Sequence, residues 1–139
     1  MELKIARQHY EIMKEWLEKH YPHEACGFFA GSEDEEKRNV DDLWSVNNIS
    51  TENLRRRFVI DPLDYLKAER KVIQNGDNLL GLFHSHPDHP AFPSEHDLAA
   101  AQPYFSYVIA SVVDGKLDEV RSFRLSEGAF VEEKVIIDN

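Results

Sequence analysis

The sequence is organised around residues 81–97, which read Gly-Leu-Phe-His-Ser-His-Pro-Asp-His-Pro-Ala-Phe-Pro-Ser-Glu-His-Asp. An apolar run ends there in two histidines, His84 and His86, that are one residue apart. Because side chains alternate faces along a strand, both imidazoles point the same way and can converge on one ion. Asp97 follows a proline-broken loop and can supply a third ligand from the start of the next element. Two histidines and a carboxylate leave one position open for water, which is typical of a catalytic zinc site.

The composition is that of an ordinary soluble globular protein. The chain has 139 residues, of which 42% are hydrophobic and 30% charged, and this length is enough for one domain with a core. We therefore expect a single domain that spans residues 1–139. No apolar run reaches membrane-spanning length, the first residues do not resemble a signal peptide, and a single cysteine excludes an internal disulfide. These features together predict a cytoplasmic protein.

The charge balance narrows the class of partner. The net charge is −10. Nucleic acid and anionic membranes both bind basic surfaces, so this balance argues against either as the main partner. It does not identify the partner, and it leaves a homodimer open.

The hydrophobic pattern predicts strands mixed with about three helices. Helices are predicted at 7–20, from the N-cap Asp61 and Pro62 to Gly76, and from Ser94 to Pro103. Strands are predicted at 3–5, 25–31, 40–46, 58–60, 78–83, 106–113, 117–125 and 130–137, with Asp114-Gly115 as a hairpin turn. The polar segments 32–39 and 47–57 are predicted to be an exposed turn and a loop. The expected fold is α/β, with a mixed β-sheet packed by helices.

Ser94 and Asp97 also have a purely structural interpretation. Ser-x-x-Asp at a helix start is close to a capping box, in which the serine caps the helix and the acid reaches back. The spacing alone does not decide between capping and metal binding. The two are compatible, because a capped helix start would hold Asp97 rigidly toward a metal.

Glu24 is a candidate proton carrier. A zinc hydrolase with an open site needs a carboxylate that takes a proton from water and returns it to the leaving amine. A glutamate near a strand is more often a solvated charge. His23-Glu24 does not begin a helical His-Glu-x-x-His motif, because Gly27 occupies the place of the second histidine.

Four other histidines and the single cysteine lie near these residues in the sequence. We expect His20, His23, His89 and His96 not to be ligands, and His89, in a proline-flanked loop, can face substrate. Cys26 is expected to be a small buried residue. A zinc thiolate or a redox role is the alternative, which the absence of a second cysteine disfavours.

The motif resembles that of the JAMM (MPN+) metalloprotease family. It consists of His84-Ser85-His86-Pro87, six residues, Ser94, two residues and Asp97, with Glu24 upstream in the segment 24–31. The resemblance covers nearly the whole chain, and no catalytic position departs from it. It implies a cytidine-deaminase-like α/β domain. A deaminase itself is disfavoured, because the chain has no Pro-Cys-x-x-Cys segment.

The resemblance also implies the roles of the site residues. His84, His86 and Asp97 would bind one Zn²⁺, with water as its fourth ligand. Glu24 would act first as general base and then as general acid, and Ser94 would donate a hydrogen bond to the oxyanion.

The implied reaction is hydrolysis of the amide after the C-terminal glycine of a ubiquitin-like protein. This short chain is similar to compact prokaryotic members, which are associated with ubiquitin-like sulfur-carrier proteins that end in Gly-Gly. Such a tail could lie extended against a sheet edge, with residues 47–58 and 88–93 as candidate clamps. The run 55–57, three arginines, could meet an acidic carrier surface or form a solvated basic turn.

Two further functions remain open from the residues. One is a non-catalytic protein-binding scaffold of the same fold, which the intact motif disfavours because a scaffold needs no open metal site. The other is a zinc hydrolase of small amides that are unrelated to any protein tag.

Overall fold

The fold, described here from a computed structural model of residues 1–139, consists of seven strands and three helices. In chain order they are β1 (Glu2–Ala6), α1 (Arg7–His20), β2 (Cys26–Asp34), β3 (Lys37–Val46), α2 (Pro62–Asn75), β4 (Asn78–Pro87), α3 (Glu95–Ala100), β5 (Ser106–Val113), β6 (Lys116–Ser126) and β7 (Ala129–Asp138). None of the helices has the length and apolar character needed to cross a membrane.

The strands form one closed sheet in the order β1-β3-β2-β4-β5-β6-β7. β1 runs parallel to both of its neighbours, β3 and β7, and β4 runs parallel to β5. All other pairs are antiparallel. The mixed pairing and the three helices confirm the predicted α/β class, whereas the closure of the sheet was not predicted. The comparison with cytidine deaminases stays a prediction.

Sheet closure corrects one expectation about substrate docking. A free strand edge was expected to receive an extended tail, but every one of the seven strands has a neighbour on both sides. The reason is that β1 lies between β3 and β7 and pairs with both. The pairing of β2 with β4 stops at His84 while β4 continues to Pro87, so an extended tail has only short strand ends of this kind or a loop to pair with.

Both faces of the central strands are covered, which gives the site a rigid base. Phe28 and Phe29, neighbours on β2, belong to two different hydrophobic clusters. α1 packs Met13 and Leu17 into the first cluster, and α2 packs Ala68 and Val72 into the second. β4 is buried from Leu79 to Pro87, so the two histidines at its end sit on a strand that cannot shift without disturbing the core.

The predicted ends of α2 are confirmed. The Asp61 side chain accepts a hydrogen bond from the Leu63 amide at 2.9 Å, and Pro62 occupies the first turn. Gly76 ends the helix with φ of 71°, a left-handed conformation that glycine adopts without steric cost.

Two local predictions were wrong. Residues 32–39 are not a turn throughout, because β2 continues to Asp34 and β3 begins at Lys37, so that only a tight turn joins them. The buried Arg38 in this segment bonds to Glu33 at 2.7 Å and thereby satisfies a charge that the sequence suggested was exposed. Residues 58–60 are not a strand, because the Val59 amide donates to the Asn48 side chain.

The third helix is shorter than predicted. α3 ends at Ala100 rather than continuing to Pro103. Its last turn is closed by a hydrogen bond from the Ala101 amide to the Leu98 carbonyl. Residue 101 then adopts an extended conformation, which fits a segment that is about to meet proline.

Candidate metal centre

Three side chains meet at the end of β4 and the start of α3. His84 Nε2 and His86 Nε2 lie 3.2 Å apart. Asp97 Oδ1 is 3.3 Å from His84 Nε2, and Asp97 Oδ2 is 3.1 Å from His86 Nε2. Ligands at about 2.0–2.1 Å from a tetrahedral metal are about 3.3 Å from one another. The three residues therefore have the spacing needed to hold one metal ion. We call them the ligand triangle.

Hydrogen bonding orients one of the two imidazoles. His86 Nδ1 lies 3.0 Å from the carbonyl oxygen of Pro90. A carbonyl oxygen only accepts, so His86 carries its proton on Nδ1 and presents the lone pair of Nε2 to the triangle. The loop that follows β4 thus fixes the ligating tautomer of its own histidine.

The other imidazole is held by packing. The His84 ring stacks on Phe58, with 4.5 Å between the ring centroids and 28° between the planes. His84 is fully buried, and burial lowers its pKa, which favours the neutral imidazole that metals require. Its Nδ1 has no hydrogen-bond partner, so on that side of the ring only packing holds its orientation.

Asp97 is held by the capping box that its spacing suggested. The Asp97 amide donates to Ser94 Oγ at 3.0 Å, and the Ser94 amide donates to Asp97 Oδ2 at 2.9 Å. Burial raises the pKa of Asp97, but its close contacts with His84 and His86 outweigh burial and hold the pKa well below its usual range. The structural and metal-binding interpretations of this pair are therefore both geometrically satisfied.

Glu24 precedes β2, the strand that pairs with β4, and lies beside the triangle. Cys26 pairs with His84 across β2 and β4, and the Ser85 amide donates to the Ala25 carbonyl at 3.0 Å. Only 5% of Glu24 is exposed, and its Oε1 has no hydrogen-bond partner. Burial, and secondarily the charge of Asp97, raises the pKa of Glu24 to about 9. A buried carboxyl group without a partner is costly and is typical of functional sites.

Two cavities of opposite character meet at the triangle. The apolar cavity, of about 300 Å³, has nine hydrophobic residues among its twelve lining residues and reaches His84 and Asp97. The polar cavity, of about 590 Å³, has a single hydrophobic residue among eleven and reaches Glu24 and Ser94. Glu24 does not line the apolar cavity.

Residues 47–58 were expected to be a candidate clamp for the substrate tail, but their bonds to the backbone of Glu24 were not predicted. Asn48 Nδ2 donates to the carbonyl oxygens of Glu24 and Arg57, both at 3.0 Å. The Glu24 amide in turn donates to the Leu54 carbonyl at 2.7 Å. The loop is therefore bonded to the backbone of Glu24 on both sides of that residue. A lone asparagine in a polar stretch carries no sequence signal for this role.

The remaining histidines and the cysteine are not members of the ligand triangle. His89 lines the polar cavity, and His96 lines both cavities. His20 bonds through Nδ1 to the Trp16 carbonyl of its own helix at 2.9 Å. Cys26 is fully buried, which confirms the expectation of a small core residue, and burial raises its pKa to about 12.

Comparison with known proteins places this geometry in a family. The family model described as prokaryotic homologs of the JAB domain matches residues 6–126. A probable TtuB-protein conjugate cleaving protease of Thermus thermophilus is 33% identical over 126 residues, which cover 91% of this chain and 78% of that protein. A CysO-cysteine peptidase of Mycobacterium tuberculosis is 31% identical over 119 residues, covering 83% of this chain and 77% of that protein.

The fold similarity extends over the whole chain. The solution structure of protein DSY2949 from Desulfitobacterium hafniense superimposes with a TM-score of 0.86 at 32% identity, covering 99% of this chain and 93% of that one. The chain therefore belongs to the prokaryotic JAB domain family, in agreement with the JAMM motif that its sequence resembles.

Proposed function

We propose that the protein is a zinc-dependent peptidase that hydrolyses the amide bond after the C-terminal Gly-Gly of a ubiquitin-like sulfur-carrier protein. It would act as a single domain, residues 1–139, in the cytoplasm. The observation that carries this proposal is an unpartnered buried carboxyl group, Glu24, beside a ligand triangle with tetrahedral spacing. The names of the two relatives, a TtuB-protein conjugate cleaving protease and a CysO-cysteine peptidase, support the substrate class.

Zinc suits the triangle in both number and kind of ligand. Two imidazole nitrogens and one carboxylate form a three-ligand set that zinc uses in catalytic sites, with a fourth position left open. When bound, the metal supplies a Lewis acid that activates water and polarises the attacked carbonyl group. One ion per chain is expected, held by His84, His86 and Asp97.

Glu24 would move the proton. Its carboxyl group takes a proton from the attacking water and then returns that proton to the leaving amine. Burial makes the carboxylate a stronger base than an exposed glutamate, since its pKa is raised to about 9. A nearby cation favours the ionised form, so a loaded metal site would set Glu24 ready to accept the proton.

Ser94 would stabilise the oxyanion that develops on the attacked carbonyl. Its Oγ already accepts the Asp97 amide, which fixes the position of the hydroxyl at the mouth of the polar cavity. The hydroxyl hydrogen has no acceptor among the hydrogen bonds of the structure and is free to donate to the developing charge.

Mass spectrometry of a Gly-Gly-tailed sulfur-carrier protein that bears a C-terminal amino acid tests the proposal. Cleavage after the last glycine by the zinc-loaded protein, and not by its Glu24→Gln variant, is the expected result. Cleavage of free dipeptides with the carrier untouched would instead favour a hydrolase of small amides. The absence of any metal-dependent turnover would favour a binding scaffold.

Metal analysis separates the ligands from the other side chains. His84→Ala and Asp97→Ala should each lose both bound zinc and activity. His9→Ala is the matched control, because His9 lies on α1 away from the triangle and should leave one zinc per chain. Either ligand variant keeping full zinc and full rate would disprove the assignment.

A further inference from the structure

We infer that Arg56, with Arg57, forms a carboxylate-binding subsite for the leaving group, so that the protein prefers carriers whose leaving group is a single α-amino acid. A lysine side chain of a folded target protein, which brings no carboxylate next to the scissile amide, would be the poorer leaving group. This inference rests on the proposed function and names the leaving group of the same reaction.

Proton delivery decides which cavity receives the leaving group. Water adds to the carbonyl carbon, the carbon–nitrogen bond breaks, and the departing nitrogen needs the proton that Glu24 carries. Glu24 lines the polar cavity and does not line the apolar one. The leaving amine must therefore depart into the polar cavity. The carrier tail is left to the apolar cavity, which has His84 and Asp97 in its wall.

The polar cavity has the charge needed to bind an anion. Arg56 and Arg57 line it together with His89, and neither arginine takes part in any ion pair of the structure. Glu95 is the one carboxylate besides Glu24 in its wall. An unpaired guanidinium is the side chain best suited to bind a carboxylate, because its planar donors fit both oxygens. Although the chain has a net charge of −10, these two unpaired arginines give one cavity a local positive charge.

The backbone that carries the arginines is held at a fixed place relative to Glu24. The amides of Arg56 and Arg57 both donate to the Asn53 carbonyl, at 2.9 and 3.0 Å. The loop that carries them is bonded to the Glu24 backbone through Asn48 and Leu54. The charge of Arg56 reaches the site. Burial raises the pKa of Glu24 and lowers that of His89, and the Arg56 charge opposes the first shift and adds to the second.

The chemistry of an α-amino acid fits this spacing. Its amine and its carboxylate are attached to the same carbon atom, so a nitrogen that receives the Glu24 proton places the carboxylate beside that residue. Arg56 lines the same cavity as Glu24 and is the charged group available to such a carboxylate. An isopeptide nitrogen of lysine is followed by a methylene chain, which the same wall would not recognise.

Three conjugates of one carrier test the inference. Alanine is attached after the Gly-Gly as a free acid, alanine is attached as its carboxamide, and Nα-acetyl-lysine amide is attached through its side chain. We expect kcat/KM for the free acid to exceed that of the carboxamide by about tenfold or more, as for a hydrogen-bonded charged pair. The lysine conjugate should be cleaved about as slowly as the carboxamide.

Arginine variants show which residues cause the preference for the free acid over the carboxamide. The ratio of free acid to carboxamide should fall to about one in an Arg56→Ala, Arg57→Ala double variant and stay at its wild-type value in Arg55→Ala. Arg55 is the matched control, because it lies on the same loop but does not line the polar cavity. Its charge interacts electrostatically with Tyr21 and Asp88 instead. A ratio measured within one variant is independent of the amount of folded protein and of any change in the pKa of Glu24.

A binding measurement gives a readout without turnover. In the zinc-loaded Glu24→Gln variant, the free-acid conjugate should bind more tightly than the carboxamide, and this difference should vanish when Arg56 and Arg57 are also replaced. Equal kcat/KM for the acid and the carboxamide in the wild type would overturn the subsite and leave the proposed function intact. Failure to cleave any of the three conjugates would overturn both.

Discussion

Two glutamates of this protein are equally buried and have opposite surroundings. Glu133 on β7 is 3% exposed, and its oxygens accept from Arg124 Nε at 2.8 Å and from Ser122 Oγ at 2.7 Å. Glu24 is 5% exposed, and its Oε1 accepts from nothing. A buried carboxylate with a structural role accepts hydrogen bonds from neighbouring donors. A carboxylate that exchanges protons during a reaction needs an oxygen that no such donor occupies. The contrast is a physical reason to look for function at Glu24.

A second buried charge in the sheet, that of Arg38, also has hydrogen-bond partners, as Glu133 does. Arg38 is 3% exposed and donates to Glu33 at 2.7 Å, to Ser106 at 3.0 Å and to the Leu80 carbonyl at 3.3 Å. A barrel wall that supplies partners for these charges leaves Glu24 as a costly exception. Under the proposed function, a bound metal ion and substrate would offset that cost.

The largest expected difference between the two glutamates is in rate. Glu24→Gln should lower kcat by about 10²–10⁴-fold, because proton transfer by a positioned side chain contributes that much, while bound zinc is retained. Glu133→Gln is the control and should keep kcat close to the wild-type value. Single-turnover assays with metal analysis measure both. A Glu24→Gln variant with full activity would remove the proposed proton carrier.

Removal of the partnered glutamate should instead lower stability. Glu133→Ala leaves Arg124 without its buried partner and should reduce the free energy of unfolding by about 4 kcal/mol, as measured by urea denaturation. Glu132→Ala is the matched control on the same strand. Its exposed ion pair with Arg121 should be worth less than about 1 kcal/mol. Similar losses in the two variants would show that the buried network is not what stabilises β7.

Substitution of Ser94 should affect both the reaction rate and the stability of the fold. Ser94→Ala should cost about 3 kcal/mol of transition-state stabilisation through the lost oxyanion donor. It should also cost about 1 kcal/mol of stability through the lost helix cap. Ser94→Thr keeps a hydroxyl group and should recover most of both. Rate and melting temperature are measured on the same samples, and a loss of stability with an unchanged rate would leave Ser94 as a cap alone.

The smallest expected effect is a pH dependence of the metal-free protein. The pKa of Glu24 is about 9 in the folded protein against an ordinary value of 4.5, so the folded state keeps a proton that the unfolded chain releases. This stabilisation is complete below about pH 4.5 and is lost as the pH rises toward about 9. Since Glu24 lines an open cavity, we expect a loss of about 2 kcal/mol between about pH 5 and pH 8, measured by urea denaturation with a chelator.

A glutamine at position 24 tests the origin of this dependence. Glu24→Gln cannot titrate and should flatten the stability profile over the same pH range. The variant should also be more stable than the wild type at about pH 8, because the cost of an ionised buried carboxylate is removed. Identical slopes for the two proteins would assign the pH dependence to other groups.

The ligand triangle was predictable because its members follow simple local geometry. Alternation along one strand aligns His84 with His86, and a helix-start spacing places Asp97. Glu24 was identified through the family motif, since nothing local distinguishes it from a solvated charge. The ends of α2 were predictable for the same local reason, from Asp61 and Gly76.

The parts that were missed depend on contacts between distant segments. Phe58 belongs to a stretch with strand-like composition, but it stacks on His84 and its neighbours Arg57 and Val59 bond to Asn48 rather than to a neighbouring strand. Arg38 reads as exposed in its charged surroundings, and only the approach of β5 supplies Ser106. No periodicity within a segment reports contacts of this kind.

Closure of the barrel by its first and last strands also sets the order of events during synthesis. Leu3 of β1 pairs with Val135, and Ile5 pairs with Ile137. This side of β1 therefore stays unpaired until the final strand has left the ribosome. The segment that carries the proposed metal ligands emerges earlier, and until β7 follows, β1 and β6 each have an unpaired edge. Such edges invite pairing with other chains, and contacts between the two ends of a sequence form slowly. We therefore expect nascent chains that lack β7 to aggregate, even though every residue of the proposed catalytic site is already present.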